Sequence, residues 1–423
     1  MNTTTLTITQ ASCADDYDPN SMPVAKARAF IHQFLDPVTG VLRVPVRTAL
    51  GRVLAEDVTS PVDVPSHRNS AMDGWASRGA DLAAGEATLT EIGVSFAGKP
   101  FSGKVAAGQC VRIMTGGVVP EGADTVVMQE RAKANGKSIT FAAGQKMGQN
   151  VREAGEDLKA GSLALKRGRI IRPAELGLIA SLGIGEVSVY RALRVAFFST
   201  GDELKSVGTT LGEGEIYDSN RYTLHGMLTR LGCEVLDMGV IRDDPDLIER
   251  AFTQAAASAD VVITSGGVSV GEADFVKTTL GKLGEVVFWK IAMKPGRPLA
   301  YGKIGAAHFF GLPGNPVSVM VTFYQFVRDA LLELMGADPV APVPTFRATC
   351  TSMLKKAPGR TEFQRGILMQ APDGTLTVKP TGEQGSGILK SMSDANCFII
   401  LGDATGNVEA GTTVEVQLLE GVI

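Results

Sequence analysis

The chain has 423 residues, of which 41 are basic and 45 acidic, and its net charge is −4. That length leaves room for about three domains with separate cores. No basic run and no interleaving of basic with aromatic residues is present, so nucleic acid is excluded as the expected partner. No apolar run approaches the ~20 residues of a membrane helix, and no apolar segment of the kind that a signal peptide needs follows Met1. We therefore expect neither membrane insertion nor secretion.

Cysteine and histidine usage limits the metal chemistry. The five cysteines are scattered and never stand in a CxxC spacing, which predicts a reducing cytoplasm and argues against a zinc or disulfide framework. The four histidines lie far apart in the sequence. A metal would then be held by carboxylates, and oxygen ligands of that kind suit Mg²⁺.

The N-terminal part of the chain predicts an extension and a linker domain. Residues 1–21 are polar and weakly patterned, and we expect them to be disordered. Helical spacing predicts one helix over residues 23–35 and another over residues 173–182. We expect these helices to pack together in a linker domain built from residues 22–65 and 151–192, because two closely spaced prolines mark where the chain passes to a new module.

Residues 66–150 are predicted to form a small β module, since they are rich in glycine and in short β-prone runs. Two of its turns carry polar side chains, namely Asp73 before a glycine and Thr115 before a pair of glycines. An aspartate that only forms a turn is the ordinary interpretation of Asp73. Residues 98–104 have the spacing of a phosphate-binding loop, but Val105 stands where that loop needs Ser or Thr, so we reject this match.

From Arg194 the chain alternates between short apolar runs and helical patterns. Strands are predicted at residues 195–198, 234–238 and 261–264, with helices between them. Such alternation indicates a doubly wound parallel sheet with helices on both faces, in a domain over residues 193–340. Ligands bind such sheets beyond the carboxyl ends of the strands. Three carboxylates follow predicted strand ends and indicate one acidic rim: Glu203, Asp243 and Asp274.

The loop after the third of these strands reads Ser265-Gly-Gly-Val-Ser-Val-Gly271. Its bare backbone N–H groups can curl around an anion. Lys290, Lys294 and Arg297 lie on the extended segment that follows, and Pro313-Gly-Asn-Pro316 opens a predicted long apolar helix. Together these features favour a site for a phosphorylated ligand with a hard metal. The alternative is that the glycines form only a turn and that the lysines are solvated surface charges.

After a proline-rich linker, residues 341–423 alternate in the manner of strands and carry several turn signals. They are predicted to form a small C-terminal β barrel, with a sandwich as the alternative. Arg365 suits an oxyanion, and Ser386 lies in a glycine-rich turn. An arginine at the rim of a domain is ordinarily only solvated, which is the plainer interpretation.

These motifs, in this order, resemble the family of molybdopterin molybdenumtransferases, which comprises MoeA and the gephyrin E domain. The resemblance runs from about Pro23 to the end of the chain. Trp75 and Gly117 stand where tyrosine and alanine are commoner in the family, and neither departure removes a charged residue of the expected site. The motifs that carry the resemblance are Ser70-Ala-Met-Asp-Gly74, Thr115-Gly-Gly117, Gly155-Glu-Asp157, Ser199-Thr-Gly-Asp-Glu203, the glycine-rich loop of residues 265–271, Met293-Lys-Pro-Gly296 and Gly311-Leu-Pro-Gly-Asn-Pro316.

The resemblance implies a multidomain protein that works as an elongated cytoplasmic homodimer in molybdenum cofactor biosynthesis. Members of the family take adenylylated molybdopterin, break its phosphoanhydride to release AMP, and place the metal of molybdate on the dithiolene with the help of Mg²⁺. The resemblance also implies that three carboxylates hold Mg²⁺ or position a reacting oxygen, namely Glu203, Asp243 and Asp274.

Roles for further residues follow from the same resemblance. Lys290 and Lys294 are expected to contact the anionic substrate, and Arg365 and Ser386 to lie near molybdate. Asp73 and Thr115 are expected to reach the site from the β module, across the two-fold axis of the homodimer. The remaining substrate-binding positions that the resemblance implies are Ser265, Gly266, Gly267, Ser269, Gly271, Asp157, Pro313 and Gly314.

Two other functions stay open at this point. Molybdopterin adenylyltransferases share the α/β domain and its Gly-Gly loop, but they would need neither Asp73, Thr115 nor a C-terminal β domain. A non-enzymatic scaffold that binds partner peptides is the other alternative, because one branch of the family anchors receptor tails in an apolar groove. The intact carboxylates and lysines of the expected site favour catalysis.

Overall fold

The computed structural model of this protein describes residues 22–267 and 275–419. The segment that we expected to be disordered, residues 1–21, lies outside the described residues. Two short antiparallel pairings join the chain before the β module to the chain after it, namely Val41–Pro45 with Glu186–Tyr190 and Val58–Thr59 with Leu163–Leu165. A third pairs Asn69–Ser70, at the start of the module, with Val151–Arg152. The domain boundaries themselves stay predictions.

The two predicted helices of this region are present as Val24–His32 and Pro173–Ser181. They belong to different cores. Phe30 of the first helix packs edge-on against Trp289, with 5.0 Å between the ring centroids, in the apolar core of the α/β domain. Ile179 of the second lies in a separate cluster with the linker strands. The expectation that these helices pack together is therefore wrong, because the first helix finds a larger apolar surface under the α/β sheet.

The small β module predicted from the sequence is present, and it is a six-stranded mixed sheet. Trp75 packs edge-on against Phe141 on one face, and a second apolar cluster covers the other. A Cβ atom on Gly74 would lie 1.9 Å from the carbonyl oxygen of Val127, so only glycine allows this close approach of two strands. In spatial order the strands are Thr125–Met128, Gly74–Ser77, Gln109–Ile113, Ala87–Ser95, Ser138–Phe141 and Ala132–Asn135. Single turns of 3₁₀ helix lie at Val46–Thr48, Gly79–Leu82 and Gln129–Arg131.

The α/β domain confirms the predicted doubly wound parallel sheet, with apolar cores on both faces. Four neighbouring strands pair in parallel, and the pairings at one edge are antiparallel, because Gly305, with φ of 60°, lets the chain reverse between Pro298–Ile304 and Ala307–Leu312. In spatial order the strands are Glu234–Ile241, Arg194–Thr200, Val261–Ser265, Ala307–Leu312, Pro298–Ile304 and Gly284–Lys290. Its helices are Ser219–Arg230, Pro245–Ser258 and Phe275–Leu283.

The predicted long helix after Asn315 is present, but a π-helical turn interrupts it. Its three parts are Pro316–Thr322, the π turn Phe323–Val327 and Arg328–Leu334. Gln325 in the π turn accepts a hydrogen bond on its carbonyl oxygen from Arg28 Nε at 2.6 Å. Its side chain donates to Gln417 Oε1 at 3.0 Å. The turn thus ties the first helix and the C-terminal domain to the α/β domain.

The C-terminal domain is a closed five-stranded barrel, which confirms that prediction and not the sandwich. Closure follows because Thr361–Gln370 pairs with both Leu376–Pro380 and Cys397–Leu401. A two-residue strand of the α/β domain, Met293–Lys294, adds to the outside of this strand. The remaining elements are Thr345–Cys350, Thr413–Leu418 and the helix Lys390–Asp394. Within the described ranges, every helix is too short or too polar to cross a membrane.

Candidate functional site

A cavity of about 1150 Å³ opens where the four parallel strands end and the C-terminal barrel begins. It is slightly larger than typical small-molecule sites. Thr200 and Ser265 end two of the parallel strands, Asp243 and Pro313 follow the other two, and all four line the cavity. The sheet edge at which the sequence predicted an acidic rim therefore forms a concave site. Nine of the predicted site residues line it: Glu203, Asp243, Ser265, Gly266, Gly267, Lys294, Pro313, Gly314 and Ser386.

The Gly-Gly turn lies at the centre of this cavity. Gly266 and Gly267 have φ values of 92° and 68°, which side chains other than glycine adopt at a cost. A Cβ atom would also lie 2.9 Å from the carbonyl oxygen of Thr200 at the first position and 2.4 Å from Val276 Cγ2 at the second. The turn therefore carries no side chains, as an anion site needs, and the N–H of Gly266 donates to the carbonyl oxygen of Leu312 at 3.1 Å. The rest of the loop, with the predicted Ser269, Gly271 and Asp274, lies outside the described residues.

Asn220 holds two walls of the cavity together. Its side-chain amide donates to Ser265 Oγ at 2.8 Å and to the carbonyl oxygen of Gly314 at 2.6 Å. The predicted Gly-Gly and Pro313-Gly314 turns are thus fixed to one helix. Sequence analysis passed over Asn220, although its place in the first turn of a helix at the same sheet edge was a usable signal.

Two of the three predicted metal-binding carboxylates, Glu203 and Asp243, face the same cavity. Partial burial raises the pKa of Asp243, and the neighbouring charges of Asp202 and Glu203 raise it further. The next residue, Asp244, has a different task, because its side chain caps the helix Pro245–Ser258. Across residues 22–267 and 275–419, no three His, Cys, Asp or Glu side chains form a group able to hold a metal ion.

Cationic side chains also line the cavity. Lys294, half-exposed, places Nζ 3.3 Å from Oε1 of the buried Glu362 in the barrel. Arg297 and Arg360 also line the cavity, and sequence analysis had assigned no role to Arg360. Lys290 ends its strand outside the cavity lining, where its carbonyl oxygen accepts a hydrogen bond from Met22 N at 3.0 Å.

The turn that carries Arg360 is held by a buried lysine. Lys356 is 6% exposed and donates from Nζ to the carbonyl oxygens of Thr405 at 2.7 Å and Ala357 at 3.2 Å. In the same turn, Gly359 donates its N–H to the carbonyl oxygen of Asp403 at 2.7 Å. These bonds fix the backbone that leads to Arg360.

Arg365 is placed behind the cavity wall and is 1% exposed. Its guanidinium donates to Ser391 Oγ at 2.9 Å and to the carbonyl oxygens of Gln384 at 3.2 Å and Gly385 at 2.9 Å. Burial lowers its pKa to about 10. This geometry holds the loop that presents Ser386 and leaves the guanidinium no open face toward an oxyanion.

Asp73 and Thr115 are brought together by the β module. The carboxylate of Asp73 accepts hydrogen bonds from the backbone N–H and the hydroxyl of Thr115, each at 2.7 Å. The backbone bond, and then the hydroxyl bond, lower the pKa of Asp73. The pair is exposed. Neither residue, nor Asp157, lines the cavity of its own chain.

Three family models match the chain in succession. They are described as "MoeA N-terminal region (domain I and II)" over residues 22–183, "Probable molybdopterin binding domain" over residues 196–333 and "MoeA C-terminal region (domain IV)" over residues 347–419.

Individual proteins are similar over nearly the whole chain. A Haemophilus influenzae protein named molybdopterin molybdenumtransferase is 49% identical, covering 88% of this chain and 92% of its own. A Nostoc protein of the same name is 35% identical over 84% and 83% of the two chains. The crystal structure of a molybdopterin biosynthesis MoeA protein from Pyrococcus horikoshii aligns with a TM-score of 0.81 and 29% identity, over 94% of this chain and 100% of that one.

Proposed function

This chain belongs to the MoeA family of molybdopterin molybdenumtransferases, and from that premise we propose that it inserts molybdenum from molybdate into adenylylated molybdopterin with release of AMP. The observation that carries the proposal is the composition of one cavity. A Gly-Gly turn for phosphate, the carboxylates Glu203 and Asp243, and the cations Lys294, Arg297 and Arg360 all face it.

The role proposed for each of these residues follows from its charge. The backbone N–H of Gly267 receives a phosphate of the phosphoanhydride, and Gly266, which has no side chain, leaves room for its approach. Lys294 and Arg297 neutralise charge that builds on the leaving phosphate as its bond to the second phosphorus breaks. Arg360 and Ser386, from the barrel, receive the tetrahedral molybdate. Arg365 keeps the Ser386 loop in place.

The residues present fit Mg²⁺. Burial first, and then the neighbouring charges of Asp202 and Glu203, raise the pKa of Asp243, and a divalent cation would relieve the like-charge part of that shift. Glu203 and Asp243 would hold the ion, together with Asp274 by resemblance to the family. Bound Mg²⁺ supplies neutralisation of charge on phosphate oxygens.

The exposed pair Asp73 and Thr115, with Asp157, completes the site of a partner subunit in this proposal. The support is that the pair is preorganised yet does not line the cavity of its own chain. A homodimer with two such shared sites accounts for that placement. We place the protein in the cytoplasm, where reduced cysteines and cofactor biosynthesis are expected.

The two alternatives account for less of the site. An adenylyltransferase would use the Gly-Gly turn but has no need of Arg360 or Ser386, which line the cavity from the barrel. A scaffold for partner peptides would not need the carboxylates of Glu203 and Asp243 in the same cavity as a turn that suits phosphate.

The proposal is tested by incubating the full chain with adenylylated molybdopterin, Mg²⁺ and molybdate, and measuring AMP. We expect AMP release that depends on molybdate and is nearly abolished in Asp243→Asn. Glu249→Gln, an exposed carboxylate on the adjoining helix, is the matched control and should retain activity. Absence of AMP release from a correctly folded chain that binds the substrate would contradict the proposal.

A further inference from the structure

A small flap stands at one side of the cavity. Its two strands, Leu204–Lys205 and Ile216–Tyr217, pair in parallel. Lys205 Nζ lies 3.0 Å from Glu215 Oε1, and the same carboxylate accepts the N–H of Gly212 at 2.8 Å. Polar contacts within the flap therefore hold its two strands and the loop between them together.

Three large apolar residues of the flap line the cavity, namely Leu204, Ile216 and Tyr217. Ile216 and Tyr217 are 53% and 43% exposed. The hydroxyl of Tyr217 donates to the carbonyl oxygen of Thr209 at 2.7 Å, which fixes the ring. Exposed large apolar side chains beside a cavity indicate a surface that a ligand covers. The cavity thus has an apolar wall in addition to its charged one.

The apolar wall is joined directly to the acidic rim. The N–H of Ile216 donates to the carbonyl oxygen of Glu203 at 2.9 Å. On the other side of Tyr217, Asp218 lines the cavity and caps the helix Ser219–Arg230, with Oδ1 accepting the N–H of Arg221 at 3.1 Å. Its second oxygen, Oδ2, is buried and has no hydrogen-bond donor in the part of the chain that the structure describes. Glu203 at one end and the capped helix at the other thus fix the backbone of the apolar wall.

We propose that Ile216 and Tyr217 form a platform on which a planar heteroaromatic ring of the substrate stacks. The inference rests on the proposed function, whose substrate carries a pterin and an adenine on either side of its phosphates. Both rings are flat and bear N–H donors. The hydrogen bond from the N–H of Ile216 to the carbonyl oxygen of Glu203 ties the platform to the acidic rim of the site.

Binding measurements on the full chain test the platform. Three probes are titrated calorimetrically in one buffer: adenylylated molybdopterin, AMP and inorganic pyrophosphate. The variants are Tyr217→Ala, Tyr217→Phe and Ile216→Ser. Tyr222→Ala is the matched control, because Tyr222 is also an exposed aromatic, at 49%, but does not line the cavity.

We expect Tyr217→Ala to weaken binding of adenylylated molybdopterin by about 5- to 150-fold, the range for one stacked ring. Tyr217→Phe keeps the ring and should lose little, while Ile216→Ser should lose an intermediate amount. Pyrophosphate should bind all variants equally. A parallel loss for AMP would assign the platform to adenine, and an unchanged AMP affinity would assign it to the pterin; either supports the proposal.

The platform is overturned if Tyr217→Ala and Ile216→Ser bind adenylylated molybdopterin as the unmodified chain does, or if pyrophosphate binding falls equally. Failure of the proposed function is distinguishable. A chain that binds the substrate and releases no AMP contradicts the reaction and leaves the platform to be judged by binding alone.

Discussion

Lys294 is a cavity cation held between two domains. Its side chain is 47% exposed, whereas that of its partner Glu362 is 5% exposed, so a ligand phosphate can approach the lysine from solvent. We expect Lys294→Ala to weaken binding of adenylylated molybdopterin, with a larger loss at low ionic strength, where the charge is least screened. Titrations at two salt concentrations measure this. Lys282→Ala, outside the cavity, is the control, and equal losses at both salt concentrations would contradict an electrostatic role.

Arg360 and Arg365 should respond differently to the same substitution. Arg360→Ala removes an exposed cavity charge, so it should raise the molybdate concentration needed for AMP release and leave the melting temperature unchanged. Arg365→Ala leaves buried carbonyl oxygens without donors, and it should lower the free energy of unfolding by about 2–4 kcal/mol. Denaturant unfolding and molybdate titration separate the two. If the Arg365→Ala variant is fully stable and binds molybdate less tightly, that result would instead support the sequence-based prediction that Arg365 lies near molybdate.

At the scale of elements, one ion cluster holds the start of the helix Pro173–Ser181. Glu175 is 3% exposed and accepts hydrogen bonds from the side chains of Arg169 and Arg172 and from the backbone N–H of Arg172. These bonds lower its pKa to about 2, against an ordinary 4.5. A lowered pKa means stabilisation that is complete above about pH 4.5 and is lost as the pH falls toward 2.

Glu175→Gln should therefore destabilise the protein by about 3 kcal/mol at pH 7 and by much less near pH 2. Denaturant unfolding at several pH values measures the difference. Glu186→Gln is the control, because Glu186 pairs with Arg43 where both side chains are more than half exposed, so its loss should be small at every pH. A destabilisation that does not depend on pH would contradict the charge-based account.

Regular elements were predictable where periodicity is strong. The alternation from Arg194 onward gave the parallel sheet, because a buried strand and an amphipathic helix have distinct spacings. The antiparallel edge, Gly284–Lys290 with Pro298–Ile304, was not predicted, since its pairing depends on contacts across an intervening segment. The same limit applies to the Val24–His32 helix, whose apolar side chains do not specify which core they enter.

The sequence predicted which chemical groups form the site better than it predicted where each side chain lies. Residues at strand ends, such as Glu203 and Asp243, could be placed because parallel strands end at one edge. Arg360 and Arg365 stand five positions apart on one stretch of chain, and nothing local separates the exposed one from the buried one. Burial is decided by the loop of residues 383–387, which folds over Arg365 and not over Arg360.

At the scale of the whole molecule, the β module and the cavity are two halves of one proposed site. Asp73 and Thr115 are exposed, bonded to each other and absent from the cavity lining of their own chain. In a two-fold dimer each module is free to complete the cavity of its partner. The proposal therefore predicts that damage to the module and damage to the cavity complement each other when they are carried by different chains.

Asp73→Ala and Asp243→Ala chains are each expected to be inactive alone. After subunit exchange, a mixed dimer with shared sites has one cavity with both lesions and one with none, so about a quarter of all sites should be intact. Sites built within one chain would instead carry one lesion each, and the mixture would stay inactive. AMP release from the exchanged mixture is the measurement, with exchange verified by differently tagged chains. Recovery well above the mean of the two separate variants supports the shared site, and verified exchange without recovery contradicts it.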